Sequence, residues 1–200
     1  MTAAVFDVGN VLYGWDPHSF LARQVPEDAA RLRFIEDIGL WDWHDSLDGG
    51  RGFDEAAADL SGKFPEYAHL ISAWGDRFGE TISDPVPGVH ELVRELDARG
   101  VPLFGITNFS ADFWPPFRAR EDAFFSLFRD ILVSGEEKLL KPDPAIYFRA
   151  LDRFGLQPHQ ALFIDDRQIN VDGAEAVGMK AHLFTDAQSL RARLADEGLL

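Results

Sequence analysis

The sequence predicts an α/β fold, a doubly wound parallel sheet covered by helices on both faces, with a helical cap inserted after the first strand. Three observations predict it. Strand-like and helix-like patterns alternate from Gly88 onward, which is the order of a parallel sheet with crossover helices. Between Trp15 and Ser83 the texture changes to helical patterns and aromatic-rich joints, with no convincing strand. The whole chain has 200 residues, a length that suits one core with a modest insertion rather than two full domains.

Residues Thr2 to Val8 form a short apolar run that ends in Phe6-Asp7 and is broken by Gly9-Asn10, the pattern of a buried strand running into a loop. The segment from Ala29 to Ile38 and that from Phe53 to Leu60 are helical. A simple crossover needs a dozen or so residues, so the long strand-poor stretch is better read as an insertion. Residues 15–83 are therefore expected to form the cap, and residues 1–14 with 84–200 the core. Val89, Leu92, Val93 and Leu96 sit at helical spacing, with Gly100 closing the helix. Val101 to Ile106 reads as a strand ending at Thr107-Asn108, and Asp130 to Ser134 as another. Asp143-Pro144 joins a capping residue to a first-turn proline, opening a helix that Gly155 ends. Ala161 to Ile164 is a strand stopping at Asp165-Asp166, Ile169 to Val177 a helix before Gly178, and Lys180 to Phe184 a last strand.

Composition narrows the function. Apolar residues at 46% and charged residues at 26% are those of an ordinary globular chain. The net charge of −15 argues against nucleic acid and anionic membrane as partners. The same charge repels a small phosphate ester, so a site for one must supply positive charge locally. Cys is absent, which removes disulfides, thiolate nucleophiles and cysteine-bound metal. No two of the six His residues have close metal-ligand spacing. No apolar run is long enough to span a membrane, and the first residues lack the charged start of a signal peptide, so a cytoplasmic location is expected. Nothing implies a protein partner.

Parallel sheets bind ligands at the carboxyl ends of their strands. There the sequence places Asp7, Thr107-Asn108 and Asp165-Asp166, with Lys141 just ahead of the helix that opens at Asp143. Three carboxylates, a hydroxyl, an amide and an ammonium are the parts needed to hold a divalent cation and a phosphoryl group. Carboxylate oxygens suit Mg²⁺, and a carboxylate so placed can attack phosphorus. Lys138 competes with Lys141 for the role of phosphoryl partner. Trp41, Trp43, Phe53 and Trp74 read as cap core before substrate platform.

Phe6-Asp7-Val8-Gly9-Asn10-Val11-Leu12, Ile106-Thr107-Asn108, Lys141-Pro142-Asp143-Pro144 and Phe163-Ile164-Asp165-Asp166-Arg167-Gln168-Ile169-Asn170 resemble the four ordered motifs of the haloacid dehalogenase superfamily, in its phosphatase branch with a helical cap. The opening motif, the Phe113-Trp114 after Thr107-Asn108, the last motif and, more softly, Trp43 to Gly49 look most similar to phosphatases acting on glucose 1-phosphate. The resemblance implies a Mg²⁺-dependent phosphatase of a small phosphorylated metabolite. In it, Asp7 is nucleophile and metal ligand, the Gly9 carbonyl a second ligand, Asp166 the principal metal carboxylate, and Asp165 a neighbour that binds directly or through water. Thr107 and the Asn108 backbone hold phosphoryl oxygens, and Lys141 neutralises them. Asn170 stands where many relatives have a further carboxylate.

One position departs from the pattern. Most phosphatases of this family carry a second Asp two residues after the nucleophile to protonate the leaving oxygen and then activate water; here that position is Gly9. Asp16 and His44 are the candidate substitutes, and an anomeric leaving group would need the donor less. Two other readings share the parts: a non-catalytic phosphate-binding module, suggested by Gly9, and a metal-independent 2-haloacid dehalogenase, opposed by the Asp165-Asp166 pair.

Overall fold

The computed structural model describes residues 2–200. Five parallel strands form the main sheet in the order β5-β4-β1-β6-β7: β1 (Ala3–Phe6), β4 (Leu103–Thr107), β5 (Asp130–Val133), β6 (Ala161–Asp165) and β7 (Lys180–Leu183). Side chains alternate across this sheet. Ala4, Phe6, Leu162 and Ile164 join one core, while Ala3, Val5, Ala161 and Phe163 join the other, which is why β1, and β6 up to Ile164, are apolar without interruption. The first core is covered by α6 (Val89–Ala98), α7 (Trp114–Arg120), α8 (Asp122–Phe125) and α12 (Ala187–Asp196); the second by α10 (Pro144–Phe154) and α11 (Gln168–Ala176). A short α9 (Ser134–Glu137) follows β5. Asp143 caps α10 by accepting the Ala145 N–H at 2.8 Å, and Gly155 ends it with φ 67°.

The chain lays β4 and β5 on one side of β1 and then crosses to lay β6 and β7 on the other. The switch point therefore lies over the carboxyl end of β1. Asp7, Asn108 and Asp166 follow the three central strands there.

A helical unit occupies the stretch between β1 and α6: α1 (Pro17–Gln24), α2 (Asp28–Ile38), α3 (Leu40–Asp48), α4 (Phe53–Lys63) and α5 (Ala68–Asp76). It has its own apolar cluster around Phe20, Phe34, Trp43, Ile71 and Trp74. Phe113, from the core, packs into the same cluster. The sequence pattern suggests no strand at this junction, and the structure differs. Tyr13–Trp15 (β2) and Ile82–Pro85 (β3) pair antiparallel as a two-stranded ribbon where the chain leaves and re-enters the core. The strands are three and four residues long, β2 buried to partly buried and β3 mostly exposed, too short to show an alternating pattern.

Among the described residues, no helix is long and apolar enough to cross a membrane.

Candidate active site

A cavity of about 250 Å³ opens at the switch point. Its floor comes from the core: Asp7, Gly9, Asn108, Lys141 and Asp166, with Asn10, Arg167 and Asn170 beside them. Its other wall consists of Trp15, Phe78, Phe109 and three residues of α3: His44, Asp45 and Asp48. Thr107 and Asp165 are buried at the ends of β4 and β6 and do not line the cavity.

Asp7 accepts the Val8 N–H at 2.7 Å and faces Lys141 Nζ at 2.9 Å, both through Oδ1. Lys141 is buried; its ammonium also meets Asp165 Oδ2 at 2.7 Å and donates to the Ile106 carbonyl at 3.1 Å. The loop that carries it is fixed by Asn108, whose side chain accepts the Lys141 N–H at 2.9 Å and donates to the Lys141 carbonyl at 3.1 Å. That pair of hydrogen bonds turns the Asn108 side chain away from ligand duty. Burial lowers the Lys141 pKa, but the charges of Asp7 and Asp165 outweigh it and hold the ammonium above its ordinary value. Lys138 is exposed.

Burial pushes Asp7 up to about 7, and the Asp165 and Asp166 charges add to that against the pull of Lys141. Three carboxylates against one ammonium leave uncompensated negative charge, as a cation site requires. Asp7, Asp165 and Asp166 each offer an oxygen within 4.8 Å of the others. Asp165 accepts from Lys141, from Asn170 Nδ2 at 3.0 and 3.1 Å, and from the Arg167 N–H at 2.9 Å. Asp166 accepts only a weak bond from Asn10 Nδ2 at 3.3 Å. The oxygen capacity for a metal thus lies with Asp7 and Asp166, while Asp165 and Asn170 hold Lys141 in place. An all-oxygen donor set of this kind fits Mg²⁺.

The candidate substitutes for the missing acid separate. Asp16 is exposed and caps α1, accepting the Ser19 N–H at 2.9 Å, and those hydrogen bonds hold its carboxyl below the usual range. It does not line the cavity. His44 does, stacked between Trp15 and Phe78 at 5.4 and 5.7 Å.

Residues 1–178 match the haloacid dehalogenase-like hydrolase family. The chain belongs to that family. It is 27% identical over 193 residues to a sesquiterpene phosphatase of Aspergillus oryzae, covering 92% of this chain and 90% of that protein. It is 26% identical over 184 residues to an N-acetylmuramic acid 6-phosphate phosphatase of Pseudomonas aeruginosa, covering 90% and 80%. A haloacid dehalogenase family enzyme of Bacteroides thetaiotaomicron, solved with magnesium and inorganic phosphate, shares the fold with TM-score 0.71 at 18% identity, covering 93% of this chain and 95% of that one. The L-2-haloacid dehalogenase of Xanthobacter autotrophicus shares it with TM-score 0.64 at 15% identity, covering 100% and 85%. The phosphatases among the relatives agree with an enzyme that hydrolyses phosphoric monoesters.

Trp15, Phe78 and Phe109 line the cavity with no motif to announce them, while Asp45, Asp48 and Arg167 lie inside motif stretches without an assigned role. Trp41, Trp43, Phe53 and Trp74, the more conspicuous aromatics, pack in the helical unit and leave the cavity to others. The signal available for α3 was the sequence from Trp43 to Gly49, where His44 and Asp48 are one helical turn apart on the same face.

Proposed function

We propose that this enzyme is a Mg²⁺-dependent phosphatase of a small phosphorylated metabolite, by preference a sugar phosphate, acting through a phosphorylated Asp7. The observation that carries the reading is Asp7 itself: a strand-end carboxylate in the cavity floor, with both its donors on Oδ1 and Lys141 Nζ alongside at 2.9 Å. The Asp7 carboxylate attacks phosphorus and displaces the ester oxygen; water then attacks the phospho-Asp7 and frees phosphate. Lys141 balances the charge on the phosphoryl oxygens and the Asn108 backbone holds them, while Thr107, buried outside the cavity, takes no part. Bound by Asp7, Asp166 and the Gly9 carbonyl, Mg²⁺ would offset the charge that gathers as the phosphoryl group meets these carboxylates. The helical unit serves as the cap, limiting water over the site.

The preference for a sugar rests on the resemblance to glucose 1-phosphate phosphatases and on the far wall of the cavity. Trp15, Phe78 and Phe109 offer ring faces, and Asp45 and Asp48 offer carboxyl groups to hydroxyls. A relative acting on N-acetylmuramic acid 6-phosphate supports it. The test is turnover across glucose 1-phosphate, glucose 6-phosphate, phosphoglycolate and a prenyl monophosphate, with Mg²⁺ and with chelator. Turnover is expected to need Mg²⁺ and to vanish in Asp7→Asn. A tenth or more of wild-type rate in Asp7→Asn would overturn the nucleophile. Tight phosphate binding without turnover of any ester would instead favour the non-catalytic module.

A further inference from the structure

Asp7 and Lys141 account for attack on phosphorus and for its charge, but neither can protonate the departing oxygen. Asp7 is consumed in the new bond, and Lys141 is held as an ammonium by two carboxylates. Gly9, where the family usually has its acid, has no side chain. Asp166 is taken by the metal in this reading, and the other polar groups of the floor, Asn10, Asn108, Arg167 and Asn170, do not exchange protons near neutral pH. The donor must come from the facing wall, and α3 brings three titratable groups there.

Asp45 is exposed to water; partial burial raises its carboxyl against the pull of the Arg167 charge, but the backbone contacts that fix Asp48 do not reach it. His44 is 4% exposed, its Nδ1 has no partner, and burial pushes its pKa down to about 4, so the imidazole is neutral and has no proton of suitable acidity to give. Asp48 remains. It is 8% exposed, and among the described residues its Oδ1 is buried without a hydrogen-bond partner, while the Ser110 N–H favours the carboxylate form. Its Oδ2 stands 3.7 Å from His44 Nε2, too far for a hydrogen bond. An unpartnered buried carboxyl oxygen is costly, and in a cavity wall it points to a group that arrives with the substrate.

The backbone of Asp48 is tied to the core. Its carbonyl accepts the Ser134 hydroxyl at 2.6 Å. Two residues later the chain passes so close to α9 that a Cβ on Gly50, at φ 94°, would lie 2.8 Å from the Gly135 carbonyl. The end of α3 is thus held at a fixed height over the phosphoryl site, although it belongs to the helical unit.

We propose that Asp48 is the proton-transferring residue of this site, taking the place that Gly9 leaves empty; the inference rests on the phosphatase reading above. As Asp7 forms its bond to phosphorus, the bond from phosphorus to the ester oxygen breaks, and that oxygen takes the proton of the Asp48 carboxyl. The Asp48 carboxylate then takes a proton from the water that attacks phospho-Asp7. The phosphorus–Asp7 bond breaks, phosphate leaves, and both carboxyl groups return to their starting states. Burial, with the charges of Asp45 and Asp7 added, pushes Asp48 up to about 8, so that it holds a proton near neutral pH.

Asp48→Asn tests this with Mg²⁺ present. Single-turnover formation of phospho-Asp7 should fall about a hundredfold or more on alkyl and sugar phosphates, yet little on p-nitrophenyl phosphate, whose leaving group needs no proton. With that ester the variant should release a burst of p-nitrophenol equal to the enzyme, because hydrolysis of phospho-Asp7 lacks its base. The ratio of alkyl to aryl rates is independent of how much of the variant folds. A Cβ at Gly9 meets nothing within 4 Å, so Gly9→Asp in the Asp48→Asn background should recover alkyl turnover. An unchanged alkyl-to-aryl ratio with no burst would overturn the role of Asp48 and leave the phosphatase reading standing. Absence of turnover by the wild type on every ester would defeat that reading itself, and the role of Asp48 with it.

Discussion

At Lys141, charge and burial pull in opposite directions, and the contacts decide the outcome. The ammonium is almost wholly buried, a costly place for a charge unless it is paired, and it lies 2.9 Å from Asp7 and 2.7 Å from Asp165. Replacing it by Ala leaves two buried carboxylates facing each other and an incoming phosphoryl group with less compensation. Lys141→Ala is expected to cut kcat/KM by roughly two orders of magnitude or more and to lower the Tm of the metal-free protein, while Lys138→Ala stays near wild type in both. Steady-state kinetics and a thermal melt of the two variants check this, and the reverse ranking would return the role to Lys138. In the sequence these lysines are three residues apart, and only the following Pro-Asp-Pro favours Lys141. The contact with Asp165 that holds Lys141 at the cavity floor joins positions 24 residues apart in the chain, and periodicity says nothing about such pairs.

At the scale of elements, the strand ends were legible and the facing helix was not. β1, β4 and β6 are apolar runs that stop at a carboxylate or an amide, so both the strand and the residue that follows it can be read from local pattern. The ribbon of β2 and β3 is too short for that. For α3, the sequence pattern marks only the stretch from Trp43 to Gly49 and names no helix there, and which face meets the core depends on how the inserted unit docks. The structure turns His44 and Asp48 inward, one turn apart, and buries both. Their pKa shifts have opposite signs for stability. His44 is held neutral, so the unfolded chain takes up a proton as pH falls from about 6.5 toward 4, and stability is lost in that direction. Asp48 is raised from 3.8 to about 8, so its contribution is complete below 3.8 and is lost as pH rises through 8. Wild type and Asp48→Asn, melted without metal from pH 5 to 9, are therefore expected to converge or cross: whatever advantage the wild type has at pH 5 shrinks as pH rises. Parallel curves would show that Asp48 is ionised in the fold.

Across the whole molecule, an acidic surface surrounds a site that must hold an anion. The net charge of −15 works against a phosphate ester at long range, so affinity depends on contacts made inside the cavity, and hence on how firmly the helical unit sits on the core. An aromatic seam joins the two. Phe113, which precedes α7 in the core, stacks on Phe78 at 4.2 Å and lies 5.4 Å from Phe53; Phe78 in turn stacks on His44 at 5.7 Å and forms part of the cavity wall. Beside it the Asp112 carboxylate accepts the Phe53 N–H at 2.7 Å. Phe113 does not line the cavity, so its loss acts through the wall rather than on the reacting atoms. Phe113→Ala removes a buried ring at a cost of about 3 kcal/mol, or roughly 6–12 °C in Tm for a chain of this size. Well below that Tm, KM for the preferred ester should rise, because Phe78 and His44 lose their backing, while the alkyl-to-aryl preference stays as in the wild type, because Asp48 is held separately through Ser134. Phe113→Leu, which keeps most of the apolar volume, should recover much of the Tm. A melt unchanged in Phe113→Ala would show that the seam does not join the helical unit to the core, and a lost alkyl-to-aryl preference would show that the position of Asp48 depends on it.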